Sequence, residues 1–482
     1  MNDAAHEDDG TLVPPRGRLA TALAGPSLGV AAWWLAPSSL GAEAQATLGL
    51  TAWMATWWLT GVVPLAVTSL LPVLLLPLLG VRSFGQASAP YADPLVFLFA
   101  GGVAIARGLE TYGLSERLSA SLLRIAGRDA RATLAALMLA TALLSGFVSN
   151  TATAAMMLPI AIAIADAAER RGDRAGPARL RRNFGTAAVL GIAYAASIGG
   201  TLTLIGSPPN AIAADFLDSS DRPVSFAGWL KFGVPTVVLL LPIAWYLLAF
   251  RLFPVAGLHI EAEGANIPSP ALPRGARLVA AIFLATVVAW ISRPLWAPPA
   301  VTDTTIALAG AIAMLTVPVP GGPYRPLLSW RDLRTMPWGV LILFGGGLSL
   351  AGAIEATGLA RWIGDALSFA ARLPEPALVL VVALAGTFAS ELASNTALTA
   401  TVVPVLGAFA ATAGVDPSIL VVPMALGASL AFMMPVGTPP NAMAYATGRV
   451  SVAEMAKAGF WLNLVAAAVI LVSVKLAAWL FG

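Results

Sequence analysis

Long stretches without a charged side chain constrain this chain more than any other feature. Residues 44–81, 132–165, 183–214 and 417–448 contain no Asp, Glu, Lys or Arg. A helix crosses the apolar core of a bilayer with about 20 mainly apolar residues. Only 11% of the 482 residues are charged, whereas an ordinary soluble domain has about 25%. The sequence therefore predicts an all-α polytopic membrane protein and excludes a soluble enzyme.

The scarcity of reactive side chains narrows the chemistry further. The chain has no Cys, and its two His residues, His6 and His259, lie in polar segments. Thiolate metal sites and cysteine nucleophiles are excluded, and a Ser-His-Asp triad inside the membrane is not expected. We expect no enzymatic activity, no cofactor and no nucleic-acid partner.

Hydropathy indicates about eleven transmembrane helices. The predicted spans cover residues 19–36, 45–61, 63–81, 94–111, 184–205, 230–252, 276–296, 304–318, 338–356, 418–447 and 458–481. Two further apolar segments, 130–167 and 376–413, are too long for one span, and each has a polar break near its middle. Each segment could form two spans or a re-entrant helical hairpin.

Charge flanks favour the hairpin interpretation. Arginines lie on both sides of the segment 130–167, among them Arg128 and Arg131 before it and Arg170 and Arg171 after it. Positive residues favour the cytoplasmic side, so both ends of this segment should be cytoplasmic. We therefore predict two re-entrant hairpins and a cytoplasmic N-terminus, although two full spans for each segment would preserve the same sidedness.

An internal repeat supports this arrangement. Three groups of residues recur in the same order in the second half of the chain. Phe99 recurs as Phe344 and Ser149-Asn150-Thr151 as Ser394-Asn395-Thr396, each 245 residues later. Gly206-Ser207-Pro208-Pro209-Asn210 recurs 231 residues later as Gly437-Thr438-Pro439-Pro440-Asn441. An odd number of crossings in each copy would invert the second copy relative to the first. Inverted-topology repeats with broken helices are typical of secondary transporters.

The repeat predicts the domain organisation. We expect a cytoplasmic disordered tail (1–18), a first transmembrane helix (19–44), repeat 1 (45–252), a cytoplasmic linker (253–274) and repeat 2 (275–482). Each repeat would contain scaffold helices, one hairpin (130–167 or 376–413) and one broken helix (184–214 or 418–447).

The polar breaks are candidate binding sites. Ser149, Asn150 and Thr151 are suited to capping the second hairpin helix, whose N-terminus would attract an anion. Ser145 and Ser149 are four residues apart and would share a helix face, which would pair their oxygen atoms for a small hard cation. A single such motif is usually structural, but its duplication at matching repeat positions favours a binding site. Glu391 has no counterpart in repeat 1, where Gly146 stands, and we expect it to form a structural ion pair or a cap, with a role in transport as the alternative.

These motifs resemble those of the divalent-anion:sodium symporter family. The doubled Ser-Asn-Thr and Gly-Ser/Thr-Pro-Pro-Asn motifs and the segment from Tyr194 to Gly200 carry the resemblance, which covers nearly the whole chain from about residue 45. The resemblance implies a homodimer, in which each protomer has a scaffold domain and a transport domain that moves like an elevator.

The resemblance also implies site residues. One sodium site would use Ser145, Ser149, Asn150 and Gly206, and its symmetry mate would use Ser390, Ser394, Asn395 and Gly437. The substrate would meet Asn150, Thr151, Ser207, Pro208, Asn395, Thr396, Thr438 and Pro439. Ser207 and Ser390 depart from the threonine that the family would favour there.

We therefore expect sodium-coupled transport of small dicarboxylates such as succinate, malate or fumarate across the bacterial inner membrane, with sodium ions as coupling ions. The alternatives are a sodium-independent dicarboxylate exchanger and a carrier of sulfate, tartrate or citrate.

Overall fold

The computed structural model describes residues 18–171, 176–220, 222–260, 272–320, 324–366 and 372–481. In these ranges all regular structure is helical, apart from two isolated β-bridges. This confirms the all-α prediction. The predicted tail 1–18, except for Arg18, and half of the predicted linker 253–274 lie outside the described residues.

The helices follow the predicted spans closely. The first half contains α1 (Arg18–Leu35), α2 (Ala42–Thr60), α3 (Leu65–Thr68), α4 (Leu71–Leu78), α5 (Phe84–Ser88), α6 (Pro94–Thr111), α7 (Leu114–Ala126), α8 (Ala130–Ser145), α9 (Asn150–Arg170), α10 (Ala178–Gly200), α11 (Pro208–Ser219) and α12 (Phe226–Tyr246). The second half contains α13 (Arg274–Trp296), α14 (Asp303–Thr316), α15 (Trp338–Ala356), α16 (Leu359–Ala366), α17 (Glu375–Ser390), α18 (Asn395–Ala413), α19 (Ser418–Ser429), α20 (Pro439–Ala446) and α21 (Val452–Phe481).

Seven helices in the described ranges are long and apolar enough to cross a membrane. Six shorter apolar helices include the first helix of each predicted hairpin and α19. A membrane protein with several spans is thus confirmed, whereas the number of about eleven spans stays a prediction.

The segment 63–81 differs from its prediction as one span. It forms two short helices, α3 and α4, which are separated at Ser69 and Leu70. Pro72 has no backbone N–H and therefore cannot donate to the carbonyl of Thr68, so the helical ladder is interrupted here.

Two helix-loop-helix pairs lie where the hairpins were predicted. The first consists of α8 and α9, joined by residues 146–149, and the second of α17 and α18, joined by residues 391–394. A short amphipathic helix, α7 or α16, precedes each pair, and the sequence analysis did not identify either one.

The Gly-Ser/Thr-Pro-Pro-Asn motifs break two helices, as predicted. After α10 the chain leaves the helix and begins α11 at Pro208; after α19 it begins α20 at Pro439. Proline is tolerated in a first helical turn because the N–H groups there have no partner within the helix. Each Pro-Pro pair therefore starts a new helix at the break.

One aromatic contact marks the symmetry of the repeat. The rings of Phe99 and Phe344, which are equivalent residues of the two copies, pack edge to face with centroids 5.1 Å apart. A residue that touches its own equivalent lies beside the axis that relates the copies. Across this axis α9 packs against α20, and α18 packs against α11. Each hairpin therefore contacts the broken helix of the other repeat.

The main core surrounds α10. Every residue of α10 from Phe184 to Gly200 is buried, and this helix packs against α8, α9, α12 and α20. The hairpins, the broken helices, α12 and α21 share this apolar core. A second, smaller core joins α2, α4 and α5 to α15 and α16.

Candidate functional site

The first polar break brings oxygen atoms of three chain segments together. Ser145, the last residue of α8, is fully buried, and its Oγ lies 2.7 Å from Asn150 Oδ1 and 2.6 Å from the carbonyl oxygen of Ala196. A hydroxyl has one proton and can donate it to only one of these acceptors. A further donor is therefore needed to satisfy these oxygen atoms.

The orientation of the Asn150 amide sharpens this point. As placed, its Oδ1 faces only acceptors, namely Ser145 Oγ and, at 3.3 Å each, the carbonyl oxygens of Ala196 and Gly206. A rotated amide would donate its N–H groups to these oxygens. The rotated orientation satisfies these contacts, so the Asn150 amide holds the Ser145 hydroxyl and the carbonyls of Ala196 and Gly206 together at the tip. The structure therefore brings together three predicted sodium ligands, Ser145, Asn150 and Gly206.

The second break repeats the contacts of the serine hydroxyl. Ser390, the last residue of α17, is fully buried, and its Oγ lies 2.5 Å from Asn395 Oδ1 and 2.6 Å from the carbonyl oxygen of Ala428. The carbonyls of Ala196 and Ala428 were not among the predicted ligands, because a backbone oxygen leaves no signal in the residue type.

Two asparagines that were not predicted as site residues hold the breaks in shape. Asn210 Nδ2 donates to the carbonyls of Gly200 and Thr203 at 2.8 Å each. In the second copy, Asn441 Nδ2 donates to the equivalent carbonyls, those of Ala431 at 3.1 Å and Met434 at 3.2 Å. Both Oδ1 atoms are buried without a hydrogen-bond partner among the described residues. Their matching positions in the repeat were the signal that could have identified them.

Gly200 permits the close approach of Asn150 to the end of α10. A Cβ atom on Gly200 would lie 2.3 Å from Asn150 Oδ1. No side chain other than hydrogen fits at that distance, so the first oxygen cluster depends on this glycine.

The serines of the two tips occupy positions that differ from the prediction. Ser149 and Ser394 are the N-cap residues of α9 and α18, but neither side chain makes a capping hydrogen bond. The predicted cap by Ser149 is therefore wrong. The shared helix face of Ser145 and Ser149 is wrong as well, because α8 ends at Ser145. Ser149 and Ser394 are both exposed, in contrast to the fully buried Ser145 and Ser390.

The predicted substrate residues lie at the starts of four helices. Asn150 and Thr151 begin α9, and Asn395 and Thr396 begin α18. Ser207 and Thr438 are the N-cap residues of α11 and α20, where Pro208 and Pro439 follow. Only Thr438 caps its helix, because its hydroxyl accepts a hydrogen bond from Asn441 N at 3.2 Å.

Ser207 instead bridges the two repeats. Its Oγ lies 3.3 Å from Oγ of Ser429, the last residue of α19. This contact connects the break of repeat 1 with the break of repeat 2.

Glu391 caps main-chain N–H groups of the non-helical break after α19, which corresponds to the capping role among its three predicted roles. Its carboxylate accepts hydrogen bonds from the backbone N–H groups of Phe432, Met433 and Met434 and from Asn463 Nδ2. The alternative, an ion pair, is not formed with any described Lys, Arg or His.

A cavity of about 700 Å³ lies apart from the two oxygen clusters. Its lining includes Arg182, Tyr445, Arg449 and Glu454, and it includes none of the predicted site residues. Arg449 pairs there with Asp166 and Glu169 of α9, which ties the loop after α20 to the first hairpin.

Paired helix breaks in a duplicated helical membrane protein define a secondary transporter. Comparisons with known proteins agree with this class. A family model described as citrate transporter (CitMHS) matches residues 55–422. The chain therefore belongs to this family of transporters, which is not a family of enzymes, and the resemblance to divalent-anion:sodium symporters is confirmed.

Individual relatives match over most of their length. A sodium-dependent dicarboxylate transporter (SdcS) of Staphylococcus aureus (strain bovine RF122 / ET3-1) is 35% identical, over 91% of this chain and 86% of that protein. The protein of the same name from Staphylococcus saprophyticus is 36% identical, over 95% of this chain and 91% of that protein. The crystal structure of the Alcanivorax borkumensis YdaH transporter has a similar fold, with a TM-score of 0.52, 18% identity and coverage of 85% of this chain and 88% of that chain.

Proposed function

We propose that this protein carries small dicarboxylates such as succinate, malate or fumarate across the bacterial inner membrane together with sodium ions. The observation that carries the proposal is the duplicated oxygen cluster, Ser145 with Asn150 and Ser390 with Asn395. Each cluster gathers a serine hydroxyl, an asparagine side chain and a main-chain carbonyl, which are oxygen ligands of the kind that hard cations take. The names of the staphylococcal relatives support the same substrate class and the same coupling ion.

The substrate would bind between the helix N-termini at the two breaks. The N-termini of α9 and α18 carry free backbone N–H groups and the positive ends of helix dipoles, whereas α11 and α20 begin with two prolines and contribute their dipole ends alone. Asn150, Thr151, Asn395 and Thr396 would offer side-chain donors to the two carboxylates, with Ser207, Thr438 and the adjoining prolines nearby. No Lys or Arg lies in either tip, so bound sodium ions would supply the remaining positive charge.

Energetics favour coupling. Moving a dianion into a cell against about −100 mV costs about 4.6 kcal/mol, at about 2.3 kcal/mol per charge. Two co-transported monovalent cations cancel this cost, and a third would make the membrane potential a driving force. Sodium therefore serves both as a ligand of the site and as the energy source.

We further propose that the hairpins and broken helices move together as a transport domain against a scaffold. The large core around α10 joins these elements and also includes Leu98 of α6, Trp290 of α13 and Ile306 of α14. The separate core of α2, α4, α5 and α15 includes Ala397 and Ala400 of α18, so it borders the second hairpin. An elevator-like motion of the transport domain within a homodimer, with the N-terminus in the cytoplasm, follows from the family resemblance.

The test is uptake of labelled succinate into proteoliposomes, with and without an inward sodium gradient and with internal succinate varied. Accumulation driven by the gradient without internal substrate is expected. Uptake that requires internal dicarboxylate and ignores sodium would instead identify an exchanger.

Citrate is the second candidate substrate, because the matching family model is described as a citrate transporter. Competition of unlabelled citrate, sulfate and tartrate with labelled succinate separates these anions. If labelled citrate accumulates and labelled succinate does not, the dicarboxylate assignment is wrong.

A further inference from the structure

The two cation sites differ by one formal charge, which lies on Glu391. This residue follows Ser390 directly in the second hairpin, and it is 4% exposed. Its Oε1 accepts hydrogen bonds from Phe432 N at 2.7 Å, Met433 N at 2.8 Å and Asn463 Nδ2 at 2.8 Å. Its Oε2 accepts one from Met434 N at 2.8 Å.

The same connection in repeat 1 is neutral. Gly146 stands at the position equivalent to Glu391, and Thr203 at the position equivalent to Met434. There the Thr203 hydroxyl donates to the carbonyl of Gly146. A neutral bond thus joins hairpin and break in the first copy, whereas a carboxylate joins them in the second.

The Glu391 carboxylate lies beside the predicted second cation site. A Cβ atom on Gly437, one of the predicted ligands, would lie 2.8 Å from Glu391 Oε2. This oxygen accepts a single hydrogen bond among the described residues, so it retains a free lone pair next to Gly437.

The buried charge has no partner of opposite sign on the protein. Within the described ranges, no Lys, Arg or His forms an ion pair with Glu391. A buried carboxylate is strongly disfavoured unless hydrogen bonds and a positive charge offset its desolvation. Four N–H donors supply the hydrogen bonds to the Glu391 carboxylate. A cation bound at Ser390 and Asn395 would supply the positive charge.

We propose that Glu391 makes the second cation site the stronger of the two, so that sodium binds there first. This inference rests on the proposed function, because it assumes that both clusters hold sodium. Opposite charges attract more strongly in a partly desolvated site than in water, and the first site lacks this attraction. The two copies of the motif therefore bind sodium in a fixed order and with different affinities.

The test measures binding of radioactive sodium to purified protein without substrate. Glu391→Gln should raise the sodium concentration that half-saturates the tighter site by about tenfold or more. Glu375→Gln is the matched control: it removes the same charge from the far end of the same hairpin, where Glu375 pairs with Lys475. This control should leave both sites unchanged.

Two more variants separate charge from capping. Glu391→Gln also loses a backbone hydrogen bond, so it should lower the thermal stability in either case. In the double variant Glu391→Gln/Asn463→Asp, the carboxylate returns at position 463, whose side-chain oxygen already accepts from Phe432 N at 3.2 Å. The double variant should regain most of the lost affinity. Ser145→Ala should keep the tighter site, whereas Ser390→Ala should lose it.

The outcomes are distinguishable. If the wild-type protein binds sodium and Glu391→Gln binds it equally well while melting earlier, Glu391 is a structural cap alone and the inference fails. If the double variant stays as weak as Glu391→Gln, the charge assignment fails too. If the wild-type protein binds no sodium, the proposed function fails together with the inference.

Discussion

Ser145 Oγ lies 2.7 Å from Asn150 Oδ1, across the loop that joins the two helices of the first hairpin. This contact fixes a side-chain oxygen of the second hairpin helix against the end of the first one. It places a hydroxyl and an amide within one buried cluster, which is the geometry on which the proposed cation binding depends.

Removing this hydroxyl should weaken sodium coupling. Ser145→Ala deletes one proposed oxygen ligand, and Ala fits in the same space. We expect the sodium concentration for half-maximal succinate uptake to rise about tenfold, the equivalent of about 1.4 kcal/mol. Ser121→Ala, an exposed serine of α7, is the control and should leave the sodium dependence unchanged. Equal sodium dependence in both variants would contradict the assignment.

Gly200→Ala should abolish transport. Its Cβ would overlap Asn150 Oδ1 at 2.3 Å, and therefore Asn150 must move out of the oxygen cluster. Gly347→Ala is the matched control in α15, because a Cβ there meets no atom within 4 Å. Uptake assays of both variants, together with size-exclusion profiles, distinguish a lost site from a lost fold. Wild-type uptake by Gly200→Ala would show that Asn150 is not needed in its present position.

Thr438→Val should destabilise the protein through its lost cap. The Thr438 hydroxyl accepts a hydrogen bond from Asn441 N, and such a cap contributes about 1 kcal/mol. Ser207→Ala should cost less, because Ser207 makes no capping bond at the equivalent position. The midpoints of thermal unfolding in detergent measure both effects. A larger loss in Ser207→Ala would indicate that its contact with Ser429 matters more than the cap.

Arg449→Gln should loosen the loop after α20 from the first hairpin. Arg449 Nη1 lies 2.8 Å from Glu169 Oε1, and its Nη2 pairs with Asp166. The variant leaves two carboxylates without their partner, so the unfolding temperature should fall. A double-mutant cycle with Glu169→Gln should give a coupling energy of about 1 kcal/mol at low salt and less at high salt. A coupling energy of zero would show that the pair contributes nothing.

The pH dependence of stability should include a contribution from Asp332. The backbone N–H of Ser329 and its hydroxyl donate to this carboxylate at 2.7 and 2.8 Å, which lowers the pKa of Asp332 below its ordinary value. A lowered pKa contributes stability that is fully present above the unfolded-state pKa and is lost as the pH falls through the folded-state pKa.

Asp332→Asn should therefore reduce the unfolding temperature at pH 7, and the difference from wild type should shrink below about pH 4. Thermal unfolding between pH 7 and pH 3 measures this difference. Glu43→Gln serves as the control for a general loss of acidic charge, because the Glu43 side chain is exposed. A constant difference at all pH values would contradict the assignment.

Much of the fold was predictable because its signals are local. Apolar stretches placed most helices within a few residues, and the Pro-Pro pairs identified both breaks, since proline removes the N–H that a helix needs. The segment 63–81 was predicted as one span because its hydropathy is high throughout. Hydropathy does not show that Pro72 lacks the N–H needed for a helical hydrogen bond to the carbonyl of Thr68. The amphipathic helices α7 and α16 were missed because the charged residues before each hairpin were interpreted only as flanking residues that indicate sidedness.

The site was predictable only in part. Repetition identified Asn150 and Asn395, but it did not show that the carbonyls of Ala196 and Ala428 complete the clusters. The capping role of Ser149 was overestimated, because residue type indicates what a side chain can bond and not whether the bond forms. The resemblance supplied Gly206 as a ligand, and its carbonyl does lie near Asn150.

By itself, the sequence determined that this chain enters a membrane, consists of helices and contains two copies of one polar motif. These properties depend on composition, hydropathy and spacing along the chain, which folding does not alter. Only the tertiary structure decided that Phe99 meets Phe344 beside the axis of the repeat, and that Glu391 is buried among N–H groups beside Gly437. Contacts between residues far apart in the chain depend on how helices pack, and close packing selects one arrangement among the many that the same hydropathy pattern allows.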